Sequence, residues 1–332
     1  MNRQIILKSR PAGIPVPENF SLSTAAEPII KKGELKVKAK FISVDPYMRG
    51  RMNDNRSYMT SFEIGKPIEG AVLAEVIESR DEAFKTGDLV LGNLLWQEIQ
   101  TITTERVTRI NKGPFESSYY LSILGMPGLT AYFGLLDIGK PKTGETVVVS
   151  GAAGAVGMVV GQLALIMGCH VVGIVGTEEK AKYLVDTLYY DNAINYRKSV
   201  NLSDDIARSC PNGVDIYFDS VGGEISDSVL PHINKFARIP ICGQISLYNK
   251  QEVQTGPRAE LILLGKNALM QGFSVRNYTD RYSKAIEDLS KWIMDGKLIY
   301  AQTITKGFEK LPEAFIGLFY GKNIGKQLVE VE

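Results

Sequence analysis

The chain has 332 residues, of which 44% are hydrophobic and 23% charged, and its formal net charge is +1. This length is sufficient for two domains with a large core, and the balanced charge creates no overall field that would favour nucleic acid or an anionic membrane. The three cysteines are far apart and odd in number, so they predict no disulfide framework and favour a reducing compartment. The N-terminal segment has too short an apolar run for a signal peptide, and we therefore expect a cytoplasmic protein.

The first third of the chain has the pattern of β-structure. Alternating or β-branched segments are separated by Pro, Gly, Asp and Asn, which typically form turns. Strands are predicted at residues 4–7, 34–44, 71–78 and 89–91. None of this region shows the period of about 3.6 residues that is typical of a core helix.

From residue 121 the pattern changes to strands that alternate with helices. Strands are predicted at 146–150, 171–175, 193–196, 214–218, 237–242 and 268–275, and helices at 158–167, 200–209, 225–233, 280–294 and from 177 onward. This alternation is typical of a doubly wound parallel sheet with right-handed crossovers. After it, strands at 298–304 and 326–331 and a short helix at 312–320 return to the first domain. The sequence thus predicts an α/β protein, with a Rossmann domain at 121–297 inserted in a β-rich domain formed by 1–120 plus 298–332.

A glycine-rich turn connects the first strand of the alternating region to an apolar helix. Residues 151–157 read Gly-Ala-Ala-Gly-Ala-Val-Gly, so Gly154 and Gly157 match the second and third glycines of the dinucleotide fingerprint Gly-x-Gly-x-x-Gly, and Ala152 replaces the first. Such a turn lets the backbone approach a pyrophosphate, whose charge lies at the helix N-terminus. We therefore predict a nucleotide site here. A membrane span is disfavoured because glycines interrupt the uncharged stretch 146–177.

The end of the second strand in this region bears on the choice between NAD and NADP. Sheets that bind NAD carry an acidic residue there, which holds the ribose 2′-hydroxyl, whereas this strand ends in Val-Gly-Thr at 175–177. Lys180 and Lys182 follow one turn into the helix and could bind a 2′-phosphate or form an ordinary solvated face. Glu178 and Glu179 oppose a phosphate. The small residues up to Thr177 leave room for one, so NADP(H) is favoured.

Zinc and hydrolase chemistry are not predicted. The chain has only two histidines, His170 and His232, no cysteine before Cys169 and no Cys-x-x-Cys, whereas zinc dehydrogenases need a set of Cys and His ligands. The Gly-x-Ser-x-Gly segment of a Ser-His-Asp hydrolase is also missing. No metal is therefore expected.

Six segments carry a resemblance to a known family. They read Asp-Pro-Tyr-Met-Arg-Gly-Arg-Met at 45–52, Gly-Met-Pro-Gly-Leu-Thr-Ala-Tyr at 125–132, Val-Ser-Gly-Ala-Ala-Gly-Ala-Val-Gly at 149–157, Val-Asp-Ile-Tyr-Phe-Asp-Ser-Val-Gly-Gly at 214–223, Ile-Cys-Gly-Gln-Ile-Ser-Leu-Tyr-Asn at 241–249 and Asn-Ile-Gly-Lys-Gln at 323–327. With them the chain resembles the zinc-independent medium-chain dehydrogenase/reductases, and among these the prostaglandin reductase / leukotriene B4 dehydrogenase group of NADPH-dependent alkenal and enone reductases. Where zinc-dependent relatives carry Ile-Gly-His-Glu, this chain reads Ile-Gly-Lys-Pro, with Lys66 in place of the ligand histidine.

The resemblance implies a GroES-like catalytic domain, a Rossmann domain that binds NADP(H), and a homodimer. It implies that the pyrophosphate is held by Ala152, Ala153, Gly154, Ala155, Val156 and Gly157. It further implies cofactor contacts at Met126, Thr130, Thr177, Lys180, Tyr196, Cys242, Phe273, Val275 and Asn323, with Lys180 and Tyr196 at the 2′-phosphate. The substrate pocket is expected to contain Tyr47, Tyr58 and Tyr248. Arg51 belongs to the same motif near the cleft as Tyr47, and the precise role of both stays open.

The reaction implied is the NADPH-dependent reduction of a carbon–carbon double bond conjugated to a carbonyl, by hydride transfer to the β-carbon. Without zinc, the charge that develops on the carbonyl oxygen must be stabilised by hydrogen-bond donors, and the candidates are Tyr58, Tyr248 and the ribose hydroxyl of the cofactor. The proton for the α-carbon could come from a tyrosine or from water. Two alternatives stay open: an NADPH:quinone oxidoreductase and a non-catalytic NADPH-binding protein. The expected partner is a small enone or alkenal, since no basic stripe or aromatic platform indicates nucleic acid and no membrane partner is predicted.

Overall fold

A computed structural model describes residues 1–54, 60–111 and 113–331. The chain divides into two compact units. The first consists of Met1–Ser122, Gln302–Asn323 and Gln327–Glu332, and the second of Ile123–Ala301 with Ile324–Lys326.

The regular elements are numbered along the chain. The strands are β1 (Asn2–Leu7), β2 (Phe20–Ala25), β3 (Glu34–Ser43), β4 (Glu69–Ser79), β5 (Leu89–Leu95), β6 (Ile99–Thr103), β7 (Val107–Ile110), β8 (Thr146–Ser150), β9 (His170–Val175), β10 (Asn192–Asn195), β11 (Val214–Phe218), β12 (Ile233–Ile241), β13 (Leu269–Gly272), β14 (Gln302–Lys306) and β15 (Lys326–Glu330). The helices are α1 (Met48–Arg51), α2 (Met126–Phe133), α3 (Gly157–Ile166), α4 (Glu178–Asp186), α5 (Leu202–Ser209), α6 (Glu224–Val229), α7 (Ala259–Lys266), α8 (Tyr282–Met294) and α9 (Leu311–Phe319).

The first unit is built on an antiparallel sheet with the strand order β14-β15-β3-β4-β5-β7, in which β6 also pairs with β3. Strand β3 shows why the chain forms a sheet here: Leu35, Val37 and Ala39 are buried, while the lysines between them are more exposed. Helix α9 completes the core, because the ring of Phe315 packs edge-on against Trp96 and Phe20 at centroid distances of 6.3 and 6.2 Å.

The second unit is built on a parallel sheet with the order β10-β9-β8-β11-β12-β13. Its central strand β8 is buried at every position, because β9 and β11 flank it on both sides. The strand order reverses between β8 and β11, since the chain first proceeds to β9 and β10 on one side and then returns to β11 on the other. This reversal defines the switch point of the sheet.

The predicted α/β class, with a doubly wound parallel sheet and a separate β-rich part, is confirmed. Several predicted bounds are wrong. The strand predicted at 268–275 ends at Gly272, and the one predicted at 298–304 covers Gln302–Lys306. Elements that were not predicted from the sequence include β2, β6, β7, α1 and α7.

Candidate functional site

The glycine-rich turn lies at the carboxyl end of β8, at the switch point. Ligands of open α/β sheets bind in this place. The turn fits a close backbone approach, because a Cβ on Gly157 would lie 2.4 Å from the carbonyl oxygen of Gly151 and one on Gly154 would lie 3.1 Å from it. Gly151 itself has a φ of +62°, a conformation in which glycine is favoured. The turn therefore presents backbone rather than side chains.

Two alanines of the turn, Ala152 and Ala153, are buried. Ala152 packs close to β9, since a Cβ built on Gly173 would lie 2.9 Å from the Ala152 Cβ. Helix α3 then begins at Gly157, and the amides of Met158 and Val159 donate to the carbonyl oxygens of Gly154 and Val156 at 3.1 and 3.0 Å. Ala155 and Val156 are half-buried at the entrance to this helix. The positive end of the helix dipole at this turn suits the charge of a pyrophosphate.

A group of cations lies at the ends of β9 and β10. Thr177 caps α4, its Oγ1 accepting a hydrogen bond of 3.2 Å from the Lys180 amide. The pKa of the half-buried Lys180 is lowered, first by burial and then by the positive charge of Arg197. Arg197 in turn donates from Nε to the Tyr196 hydroxyl at 3.3 Å. A Cβ on Gly176 would lie within 3.2–3.4 Å of these two side chains, so the site has no room for a larger residue there.

The charge of Arg197 disfavours the charged form of the half-buried Lys180, and an anionic ligand would offset this repulsion. Lys180, Tyr196 and Thr177 were predicted cofactor contacts from the sequence, whereas Arg197 was not, although it directly follows Tyr196. Of the two acids that argued against a phosphate, Glu178 accepts 2.8 Å from the Asn195 side-chain amide and lies 3.6 Å from the Lys198 ammonium. Glu179 is exposed, and its charge acts on Lys180 in the direction that raises the lysine pKa.

The loop after β12 carries two predicted site residues. The Cys242 amide donates to the backbone oxygen of Asp219 at 2.8 Å, and burial raises the pKa of its thiol to about 12. The thiol is therefore neutral near pH 7. The Tyr248 hydroxyl accepts a hydrogen bond of 3.3 Å from the Gln244 amide.

The other predicted contacts in the second unit lie on two further elements. Met126 and Thr130 share helix α2, where the Thr130 hydroxyl donates to the Met126 carbonyl oxygen at 2.7 Å. Phe273 and Val275 follow β13 instead of belonging to it. The Phe273 ring packs edge-on against Phe218 at 6.4 Å.

The predicted residues of the first unit are Tyr47, Tyr58 and Asn323. Tyr47 is half-buried against the core of that unit, and Asn323 is also half-buried. Tyr58 lies outside the described residues.

Arg51, whose role the sequence left open, makes contacts with Thr60, Phe62 and Glu69. It donates 2.8 Å from Nε to the Thr60 carbonyl oxygen, and its guanidinium lies 4.0 Å from the centroid of the Phe62 ring. It thereby joins α1 to the segment that follows.

Among residues 1–54, 60–111 and 113–331, no group of three or more His, Cys, Asp or Glu side chains is placed to hold a metal ion. Within the same ranges, no helix combines the length and the apolar character that crossing a membrane requires.

Two family models match separate parts of the chain. Residues 3–110 match a model described as the N-terminal domain of oxidoreductase. Residues 155–291 match one described as zinc-binding dehydrogenase.

Known proteins match over nearly the whole chain. YfmJ of Bacillus subtilis, which carries the name NADP-dependent oxidoreductase, is 52% identical over 331 residues, with 99% of this chain and 97% of the relative covered. The NADPH-dependent curcumin reductase of Escherichia coli is 40% identical over 335 residues, and an NADP(+)-dependent 2-alkenal reductase of Nicotiana tabacum is 42% identical over 335, both with the same coverage of 99% and 97%. The crystal structure of CurA from Vibrio vulnificus in complex with NADPH matches with a TM-score of 0.95 at 42% identity, with 99% of each chain covered.

Proposed function

Because the chain belongs to the medium-chain dehydrogenase/reductase family of oxidoreductases, we propose that it is an NADPH-dependent enone reductase. It would reduce the carbon–carbon double bond of an α,β-unsaturated ketone or aldehyde. The observation that carries the proposal is a glycine-rich turn at the switch point, with Lys180 and Arg197 following the neighbouring strands β9 and β10. The substrate class is supported by relatives named for curcumin and 2-alkenals, since both kinds of acceptor contain a double bond conjugated to a carbonyl.

The second unit is proposed to bind NADP(H), and the first to be the GroES-like catalytic domain. The turn 151–157 would hold the pyrophosphate, with a dipole and backbone amides at the start of α3. Thr177, Lys180, Tyr196 and Arg197 would hold the 2′-phosphate. The remaining proposed cofactor contacts are Met126, Thr130, Cys242, Phe273, Val275 and Asn323.

The proposed chemistry needs a hydrogen-bond donor for the carbonyl oxygen of the acceptor. Bound NADPH would supply the hydride that reaches the β-carbon. Negative charge then develops on the carbonyl oxygen, and a preorganised donor lowers the barrier. The Tyr248 oxygen accepts from the Gln244 amide, and its phenol is proposed to donate to that carbonyl oxygen or to the α-carbon. Tyr58 is proposed as a second donor and Tyr47 as a further substrate contact.

The protein is also proposed to be a cytoplasmic homodimer that acts on small molecules. Its described cysteines are free thiols, which suits a reducing compartment. Strand β13 is an edge of the parallel sheet, and Leu261 and Leu264 on α7, which follows β12, are each 76% exposed. An open edge strand beside exposed leucines is a typical site of association, and a second copy of the chain would cover it.

The test is the absorbance of reduced nicotinamide with purified protein, NADPH or NADH, and a panel of 2-alkenals, enones and quinones. We expect loss of NADPH with alkenals and enones, much slower loss with NADH, and slower turnover after Tyr248→Phe and Tyr58→Phe. Turnover with quinones alone would favour a quinone oxidoreductase instead. Tight NADPH binding without turnover of any acceptor would refute an enzymatic role.

A further inference from the structure

A buried carboxylate lies directly at the switch point. Asp219 follows β11 and is only 1% exposed. Its Oδ1 accepts hydrogen bonds from the Ser150 hydroxyl at 2.9 Å, the Tyr217 hydroxyl at 2.9 Å and the amides of Val221 and Gly222 at 3.0 and 2.9 Å. Its Oδ2 accepts from the Ser226 hydroxyl at 2.7 Å and the Gln244 side-chain amide at 2.9 Å. This many donors can stabilise a carboxylate away from water.

The bond to Gln244 connects this carboxylate to the loop that carries Tyr248. The loop also rests on the Asp219 backbone, since the amides of Cys242 and Gly243 donate to its carbonyl oxygen at 2.8 and 3.2 Å. The Gln244 side chain reaches Asp219 only because Gly222 has no side chain, as a Cβ there would lie 1.9 Å from Gln244 Oε1. The geometry is thus specific to glutamine and glycine at these two positions.

Tyr248 is oriented by the same loop. The Gln244 backbone amide donates to its hydroxyl oxygen at 3.3 Å, and a Cβ on Gly243 would lie 3.1 Å from that oxygen. One residue, Gln244, therefore bonds to Asp219 through its side chain and to Tyr248 through its backbone. A shift of the Gln244 side chain would move the amide that fixes the phenol.

We propose that Asp219 and Gln244 are positioning residues, which fix the direction in which Tyr248 offers its proton to the substrate. The inference rests on the proposed function, in which Tyr248 is the donor to the carbonyl oxygen. Asp219 also accepts from Ser150, the last residue before the glycine-rich turn. The carboxylate therefore ties the strand that leads into the cofactor turn to the loop that holds the substrate tyrosine.

The test replaces Gln244 by methionine, which keeps the length of the side chain and removes its hydrogen bond. We expect kcat for an enone to fall by about tenfold to a hundredfold, because small errors in the placement of a catalytic group cost rate of this order. The Kd of NADPH is expected to stay within about twofold, since no proposed phosphate contact is altered. Ser226→Ala is the matched control, because it removes the other donor to Asp219 Oδ2 and keeps the bond from Gln244. It should lower the Tm by about as much as Gln244→Met does, with a much smaller loss of kcat.

A double-mutant cycle separates positioning from mere destabilisation. If Gln244 acts through Tyr248, then Gln244→Met should cost little further rate in a Tyr248→Phe background. A full additional loss in that background would overturn the inference, and so would an unchanged kcat in the single variant.

Hydrogen–deuterium exchange provides a readout that does not depend on turnover. The amides of 242–248 should exchange at least about tenfold faster in Gln244→Met than in the wild type and in Ser226→Ala. Without the bond from the Gln244 side chain to Asp219, the loop opens at a lower free-energy cost. Unchanged exchange refutes the anchor even if the wild type reduces no enone. Faster exchange without any enone turnover in the wild type would instead retain the anchor, refute the role of Tyr248 as donor, and with it the proposed function.

Discussion

Replacing Lys180 by methionine should weaken NADPH binding selectively. The substitution keeps the apolar length of a half-buried side chain and removes the charge that faces Arg197. A hydrogen bond to a charged group contributes about 1.5–3 kcal/mol, so we expect the Kd of NADPH to rise by about 10- to 150-fold. The Kd of NADH, which lacks the 2′-phosphate, should change little. Lys182→Met is the control, because the Lys182 side chain is 80% exposed and is paired only loosely, at 4.0 Å, with Asp186.

The lowered pKa of Lys180 also predicts the direction in which the substitution changes the Tm and in which pH changes NADPH affinity. A lysine whose pKa is lower in the folded state destabilises the fold while it is charged; this cost begins to fall as pH rises past the folded pKa and vanishes above the unfolded pKa. The ligand-free Lys180→Met protein should therefore have a Tm equal to or above that of the wild type near pH 7. With NADPH the order should reverse, because a ligand stabilises by an amount that falls as its Kd rises. Binding of a phosphate favours charged Lys180, so NADPH affinity should decrease as pH rises through the lysine pKa.

The assay is a titration of NADPH and NADH by nicotinamide fluorescence at several alkaline pH values, together with thermal unfolding with and without NADPH. An equal loss of affinity for NADPH and NADH in Lys180→Met would show that the side chain does not meet the 2′-phosphate. A loss in Lys182→Met as large as in Lys180→Met would place the phosphate elsewhere on the helix.

Three further predictions concern the fold and its association. Gly161→Ala should lower the free energy of unfolding by about 2–4 kcal/mol, measured in urea. The new Cβ would lie 2.0 Å from the buried Tyr190 ring, whose hydroxyl donates to the Gly157 carbonyl oxygen. The control is Gly265→Ala, because nothing lies within 4 Å of a Cβ there. Arg238→Met should lower the free energy of unfolding by about 2–3 kcal/mol in urea. The substitution removes the guanidinium that lies 2.6 Å from the Glu145 carboxylate, whose side chain is only 18% exposed. A smaller loss of unfolding free energy at acidic pH, where Glu145 can take up a proton, would support this cause, and an equal loss would not. Leu261→Glu with Leu264→Glu should convert a dimer to a monomer in light scattering, because carboxylates cannot be buried there without partners; a dimer that persists would place the interface elsewhere.

The parallel sheet could be predicted because its strands carry their own signal. Thr146–Ser150 is buried at every position and reads as an apolar run. The missed strands β6 and β7 lack this signal, because their buried and exposed positions follow from pairing with the distant strands β3 and β5. Helix α7 was missed for a related reason: it has no buried residue in a single chain, so its leucines do not form the one-sided stripe from which a helix is predicted.

The site divides in the same way. Lys180 and the glycine-rich turn follow a strand directly, and a local motif is enough to identify them. Arg197 becomes relevant only because β10 lies beside β9 with Asn195 opposite Val175, which brings the residues after the two strands together. The distance between two residues along the sequence does not reveal that their strands are neighbours in the sheet. The contact between Asp219 and Gln244, which are 25 residues apart, could not be predicted for the same reason.

The switch point explains why one buried carboxylate can serve both halves of the proposed reaction. At this point the chain leaves β8 for a turn suited to the cofactor, and leaves β11 for the turn on which the Tyr248 loop rests. Parallel neighbours end at the same edge of a sheet, so Ser150 and Asp219 meet without any contribution from longer connections. A link made between strand ends is rigid, because both strands are held by the buried core of the sheet. Hydride transfer requires that the cofactor and the acceptor be aligned with one another. A shared anchor at the strand ends would align them more directly than two loops that are fixed independently.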